Sequence, residues 1–150
     1  MNLGVWVTSN NRFRLREFFV SSKYPDYMEG IKILPSQVNV ITLGVQSVLD
    51  PIAIAMSNSQ GNRVPIIITS GFRTVKLNDL IGGANNSDHL SFCAVDIMAP
   101  GISSISFRDE ILSLLPMLPI RQLIAYKKKP HVHVSWNIPG FKYKREVFTA

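Results

Sequence analysis

The chain has three histidines, His89, His131 and His133, and two of them stand two residues apart in the run His131-Val132-His133-Val134-Ser135-Trp136. In a strand, residues i and i+2 point to one face. Both imidazoles then look the same way, while Val132 and Val134 face a core. Such a wall can ligate a metal or move protons; it can also be a half-exposed strand that does neither. The second element is Ser87-Asp88-His89-Leu90-Ser91-Phe92-Cys93-Ala94-Val95-Asp96. Asp96 falls inside Cys93–Met98, sharing a face with Ala94 and Met98, with Val95 and Ile97 turned to the core. A carboxylate in an apolar strand is costly unless it is paired or bound to a metal. One answer is a bond to Arg73 or to backbone amides. The other is a metal: two histidines and one carboxylate make a three-ligand zinc site with an open fourth position, where bound water acidifies toward a pKa of about 7. Arg73, in Ser70-Gly71-Phe72-Arg73-Thr74, follows an apolar run. It can bind a substrate carboxylate or steady a developing oxyanion, or form an ordinary surface ion pair.

These side chains need elements to place them. Val38, Ile41, Val45, Val48, Leu49 and Ile52 recur at helical steps and predict a helix over 38–56, which Pro51 kinks or divides. Residues 13–19 predict a short helix, and Asn58 to Asn62 a loop. Pro65 to Thr69 predicts a buried strand and Cys93 to Met98 a second one. Ser106 with Asp109 resembles a capping box at the start of another helix, which Pro116 and Pro119 end. Leu123 to Tyr126 and Val132 to Trp136 predict two strands joined by a Lys-Lys-Lys-Pro turn. Gly82-Gly83-Ala84 and Asn85-Asn86 suit a tight loop delivering Ser87 and His89 to a cleft. The expected class is α+β: a small antiparallel sheet carrying the site, flanked by helices.

With 150 residues, 46% hydrophobic and 17% charged, the chain has the material for one domain spanning 1–150 with a true core, and too little charge for disorder. No run of about eighteen apolar residues is seen, so no membrane span is expected, and no signal peptide is seen. The lone Cys93 excludes an internal disulfide. The net charge is +6, and the residues from Arg121 onward carry all of it, seven basic against one acidic, while the first 120 balance. Such a patch points to an anionic partner.

Taken together, these residues resemble the D-alanyl-D-alanine carboxypeptidase family of zinc peptidases, which cut bacterial cell-wall peptides and are related in fold to the hedgehog signalling domain. The resemblance rests on SGFRT at Ser70 to Thr74, Leu77-Asn78, Gly82-Gly83-Ala84, SDHLSFCAVD at Ser87 to Asp96, and HVS at His133 to Ser135. The stretch from Arg121 to Tyr126 and the N-terminal FRLREFF are similar too. The motif core covers 65–136. The order and spacing of the pieces carry the signal, more than any one of them. The resemblance implies one zinc ion per chain, held by His89, Asp96 and His133. It implies Arg73 as the residue that binds substrate or stabilises the tetrahedral intermediate, and Ser87 as a substrate-binding or supporting hydrogen-bond group.

The chain departs from the family pattern at two places. Phe92 stands where the family has Gly, a ring expected to narrow the cleft or shift the loop. Pro130 stands where one branch places a catalytic Glu; another branch places a His two residues before the last ligand, and His131 fits it as general acid/base. The expected function is zinc-dependent hydrolysis of peptide bonds in peptidoglycan stem or cross-link peptides, at the bacterial cell wall or periplasm, with a phage lysis or infection enzyme as one source. The competing reading is a zinc-stabilised wall-binding module without turnover. Nucleic acid is the least favoured partner, drawn only from Trp136, Phe141, Tyr143 and Phe148 interleaved with basic residues. A monomer is expected.

Overall fold

The computed structural model describes residues 1–21, 23–28 and 31–150. Its centre is a five-stranded sheet in the order β1-β2-β4-β3-β5. The strands are β1 (Ile67–Ser70), β2 (Ala94–Met98), β3 (Ile120–Ala125), β4 (Val132–Trp136) and β5 (Glu146–Thr149). Pairs β1–β2, β2–β4 and β4–β3 are antiparallel, as expected. The sheet is nonetheless mixed, because β5 joins β3 in parallel. The sequence reading missed β5: its residues were counted as part of a basic, aromatic patch. It is a sheet edge whose last three residues are exposed, which leaves no apolar alternation to read.

One face of the sheet builds the core. Val95, Ile97 and Ala99 from β2 and its end, and Val132, Val134 and Trp136 from β4, pack with Ile41, Val45, Val48, Leu49, Ile52 and Met56. Those helical residues lie on α1 (Pro35–Gly44), a π-helical turn (Val45–Leu49) and α2 (Asp50–Gln60). The expected kink is this π turn. Pro51 has no N–H to give, and its ring crowds the carbonyl four residues back; widening the preceding turn relieves both. The helix starts earlier than predicted and runs through the supposed loop at Asn58, ending where Gly61 turns left-handed at φ 70°.

The whole 35–60 helix is long and apolar enough, by length and composition, to cross a membrane. Counting unbroken apolar residues missed this, because Thr42, Gln46, Ser47 and Asp50 interrupt the run. Half of its most apolar window is buried inside the protein. At its middle, buried Asp50 accepts hydrogen bonds from Thr8 and Asn10. It is a core helix: at Gly44 an added Cβ would lie 2.0 Å from the Trp136 ring, and Trp136 Nε1 donates to the Val40 carbonyl at 3.0 Å.

Two further expectations need correction. β1 is an edge strand rather than a buried one, with Ile68 buried and Ile67 43% exposed. Helix α4 (Ser104–Leu114) begins a turn before the supposed capping box; Ser103 is its cap, accepting from the Ser106 amide. Helix α3 (Val75–Leu80) is capped by Thr74, directly after the Ser-Gly-Phe-Arg segment.

Candidate metal centre

Sheet register builds the site. His133 and Ser135 on β4, with His131 just before it, share the face opposite the core, and on β2 Asp96 does the same. Antiparallel pairing sets Asp96 directly across from His133, which puts their Cβ atoms about 5 Å apart. The third group comes from a 3-10 turn, Asp88–Ser91, capped by Ser87, whose hydroxyl accepts from the His89 amide. His89 Nδ1 donates to the Gly71 carbonyl at 2.7 Å, which turns Nε2 toward the sheet. Gly71 is required there, because a Cβ would lie 2.2 Å from the Phe18 carbonyl oxygen. That carbonyl accepts from the Phe72 amide at 2.7 Å, so the N-terminal segment braces the loop that orients His89.

The result is a compact triangle. His89 Nε2 lies 3.1 Å from His133 Nδ1 and 3.3 Å from Asp96 Oδ1, and His133 Nδ1 lies 3.2 Å from Asp96 Oδ1. Ligands about 2.0–2.1 Å from a tetrahedral zinc lie about 3.3 Å from one another, so the three atoms match one face of that tetrahedron. All three residues are buried. Burial pushes His89 below its ordinary 6.5, outweighing the pull of Asp96. A neutral His89 with its N–H taken by Gly71 presents a lone pair to the Asp96 carboxylate, acceptor against acceptor. A divalent cation reconciles that contact. Burial pushes Asp96 upward, but the charge of a protonated His89 and hydrogen bonds donated by His133 and His89 outweigh it and hold the carboxyl well below the usual range. The second oxygen, Oδ2, faces Arg73 Nη2 at 3.3 Å.

The triangle opens on a cleft of about 770 Å³. All six residues singled out from the sequence line it: Arg73, Ser87, His89, Asp96, His131 and His133. His131 Nε2 lies 3.9 Å from Asp96 Oδ2, outside the triangle. Burial keeps the pKa of His131 below 6.5, against the opposing pull of Asp96, so it is neutral and able to accept a proton near pH 7. Among the described residues, the carboxylates lining the cleft are Asp88 and Asp96, and both are paired.

Phe92 does not narrow the cleft. Its backbone is left-handed, φ 61° and ψ 13°, a conformation that favours Gly. Its ring turns into the core, stacked on Phe72 with centroids 3.8 Å apart. Trp136 is only 1% exposed, which removes it from any base-stacking surface.

Sequence reasoning missed several cleft residues. Gln122, Ile124 and Tyr126 line one wall, on alternate positions of and just beyond β3, and that alternation was legible. Tyr126 packs edge-on against His131 at 5.2 Å; burial raises its phenol pKa, so it stays a donor. Arg121, Lys129 and Lys144 bring part of the basic C-terminal fifth to the rim. Asp88, next to His89 in the chain, was missed as well; it pairs with Arg121 at 3.1 Å and accepts from Ser135 at 2.8 Å.

No curated protein matches the chain. Residues 33–135 match a family model described as Peptidase M15, so the chain belongs to the peptidase M15 family of zinc metallopeptidases related to D-alanyl-D-alanine carboxypeptidase.

Proposed function

We propose that this peptidase M15 chain is a zinc-dependent hydrolase of peptide bonds in the stem or cross-link peptides of bacterial peptidoglycan. The triangle of His89, Asp96 and His133 on the floor of a cleft carries this reading. A zinc ion held by these residues would supply a Lewis acid and an acidified water at neutral pH. We assign His131, which lines the cleft with Nε2 3.9 Å from Asp96 Oδ2, the role of general acid/base, accepting a proton and returning it to the leaving amine. Arg73 keeps Nη2 on Asp96 and has other N–H groups to offer a substrate oxygen. Ser87 supports the turn that presents His89. The basic rim suits the carboxylates of a wall peptide, and a phage lysis or infection enzyme acting at the wall fits this assignment.

Digestion of purified muropeptides with and without chelator, followed by mass spectrometry, tests the proposal. Chelator-sensitive products of peptide-bond cleavage are expected, and their masses distinguish carboxypeptidase from endopeptidase. No product from any stem or cross-link peptide would favour the binding-module reading. A His131→Ala pH–rate profile matching that of the unaltered protein would remove His131 from the chemistry.

A further inference from the structure

The 3-10 turn that carries His89 is four residues long. On one side it is tied to the loop after β1, through His89 Nδ1 to Gly71 and through the Arg73 amide to the His89 carbonyl. Nothing in those bonds fixes its distance from β4, which carries His133. Asp88 supplies that link. Its side chain is 10% exposed, and both carboxylate oxygens lie 3.1 Å from Arg121 Nε on β3. Oδ2 also accepts from Ser135 Oγ at 2.8 Å. Ser135 is fully buried and sits on the cleft face of β4, two residues past His133. Arg121 is itself anchored, Nη1 donating to the Lys142 carbonyl at 2.8 Å. Among the described residues, and apart from the ligand atoms themselves, Asp88 is the side-chain hydrogen-bond link from this turn to β3 and β4.

We propose that Asp88 and Arg121 form a positioning pair for the metal centre, holding the His89 turn at ligand distance from His133 and thereby setting zinc affinity. The inference rests on the metal reading above. Asp88 is not a ligand: the converging atoms belong to His89, Asp96 and His133. Its charge is matched by Arg121, without which a carboxylate this buried is costly. A small displacement of the turn moves Nε2 out of a triangle whose sides are 3.1–3.3 Å, and zinc tolerates little error in ligand geometry.

The test is zinc affinity by chelator competition on the full chain, with urea denaturation of the apoprotein alongside. Asp88→Asn and Arg121→Gln should each weaken zinc about tenfold or more. The double variant should be no worse than the weaker-binding single one, because both break one strut. Asp88→Glu should recover part of the loss, and the visible spectrum of the cobalt-substituted protein should shift in Asp88→Asn. An ordinary stabilising ion pair would lower apoprotein stability and leave zinc affinity alone; that result overturns the proposal. If Asp88→Asn does not fold, Arg121→Gln and Asp88→Glu carry the same comparison. A folded, unaltered protein that takes up no zinc overturns the metal reading itself and this inference with it, an outcome distinct from variants that bind as the parent does.

Discussion

Replacing Phe92 by Gly would bring the chain to the family pattern, and the structure says it would make the protein less stable. Two terms compete. The left-handed backbone at φ 61° costs a side-chain-bearing residue about 1–2 kcal/mol, which Gly avoids. Against this, Phe92 is 8% exposed and belongs to the core, and deleting a buried Phe side chain costs about 3–5 kcal/mol. Its stacking on Phe72 at 3.8 Å and 10° adds roughly 0.5–1.5 kcal/mol. Burial wins, for a net loss of about 1.5–5.5 kcal/mol. With a urea slope of about 2 kcal/mol/M, the midpoint should fall by about 1–3 M. Phe92→Ala separates the terms: it loses the ring and keeps the strain, so it should lie about 1 kcal/mol below Phe92→Gly. Zinc affinity should hold in both, because the ring points away from the cleft. A Phe92→Gly protein as stable as the parent would refute the packing argument, and an Ala variant more stable than the Gly one would refute the strain argument.

Arg73→Lys has one ammonium to divide between Asp96 and substrate, so zinc content should persist while turnover falls about 10²–10³-fold; unchanged turnover would remove Arg73 from the chemistry. Gly44→Ala improves helix propensity by about 1 kcal/mol but drives a methyl to within 2.0 Å of Trp136, an overpacking cost of about 1–3 kcal/mol or more; a lower urea midpoint is expected, and a higher one would contradict the packing. Cys93 is buried and its thiol is pushed up to about 12, chiefly by burial; it should resist iodoacetamide in native protein and react in urea, as followed by mass. His89 and His131 have folded pKa values below 6.5, through burial. The unfolded chain therefore binds more protons just below pH 6.5, and their share of apoprotein stability is lost as pH falls through that window. Because protons compete for the same ligand atoms, saturating zinc, worth about 4 kcal/mol at a thousand times Kd, should raise Tm by about 10 °C at pH 7.5 and by much less at pH 5.5; equal shifts would refute the ligand assignment.

The site was more legible than the fold around it, for a physical reason. Strand alternation is a local rule, so His131 and His133 on one face and Asp96 opposite Val95 and Ile97 could be read without knowing the neighbours. The register that sets Asp96 across from His133 is non-local, and only the family resemblance anticipated it. Asp88 was illegible because its value depends on Arg121 and Ser135, 33 and 47 residues away in sequence. Phe92 misled because a departure at a Gly position looks like a cleft change, whereas a left-handed φ and a core-facing ring satisfy it. Strand β5 had no signature of its own, and of the π turn only its cause, Pro51, was legible. The first is an exposed edge, and the second is a helix adjusting to Pro51.

Arg73 shows why two readings of one residue need not compete. From the sequence it was either a partner for Asp96 or a group aimed at substrate. The structure spends Nη2 on Asp96 Oδ2 at 3.3 Å, which is the structural role, and leaves Arg73 lining the cleft. A guanidinium has five N–H donors in a fixed plane. Anchoring one edge on the carboxylate therefore fixes the direction of the rest. Asp96 is divided in the same way: Oδ1 meets the imidazoles of His89 and His133, and Oδ2 meets Arg73 with His131 at 3.9 Å. The carboxylate thus sets the metal ligands and the two candidate catalytic side chains in one frame. That frame is rigid because Asp96 sits mid-strand between β1 and β4. A carboxylate that looked expensive in an apolar strand is the residue through which every other part of the site is aligned.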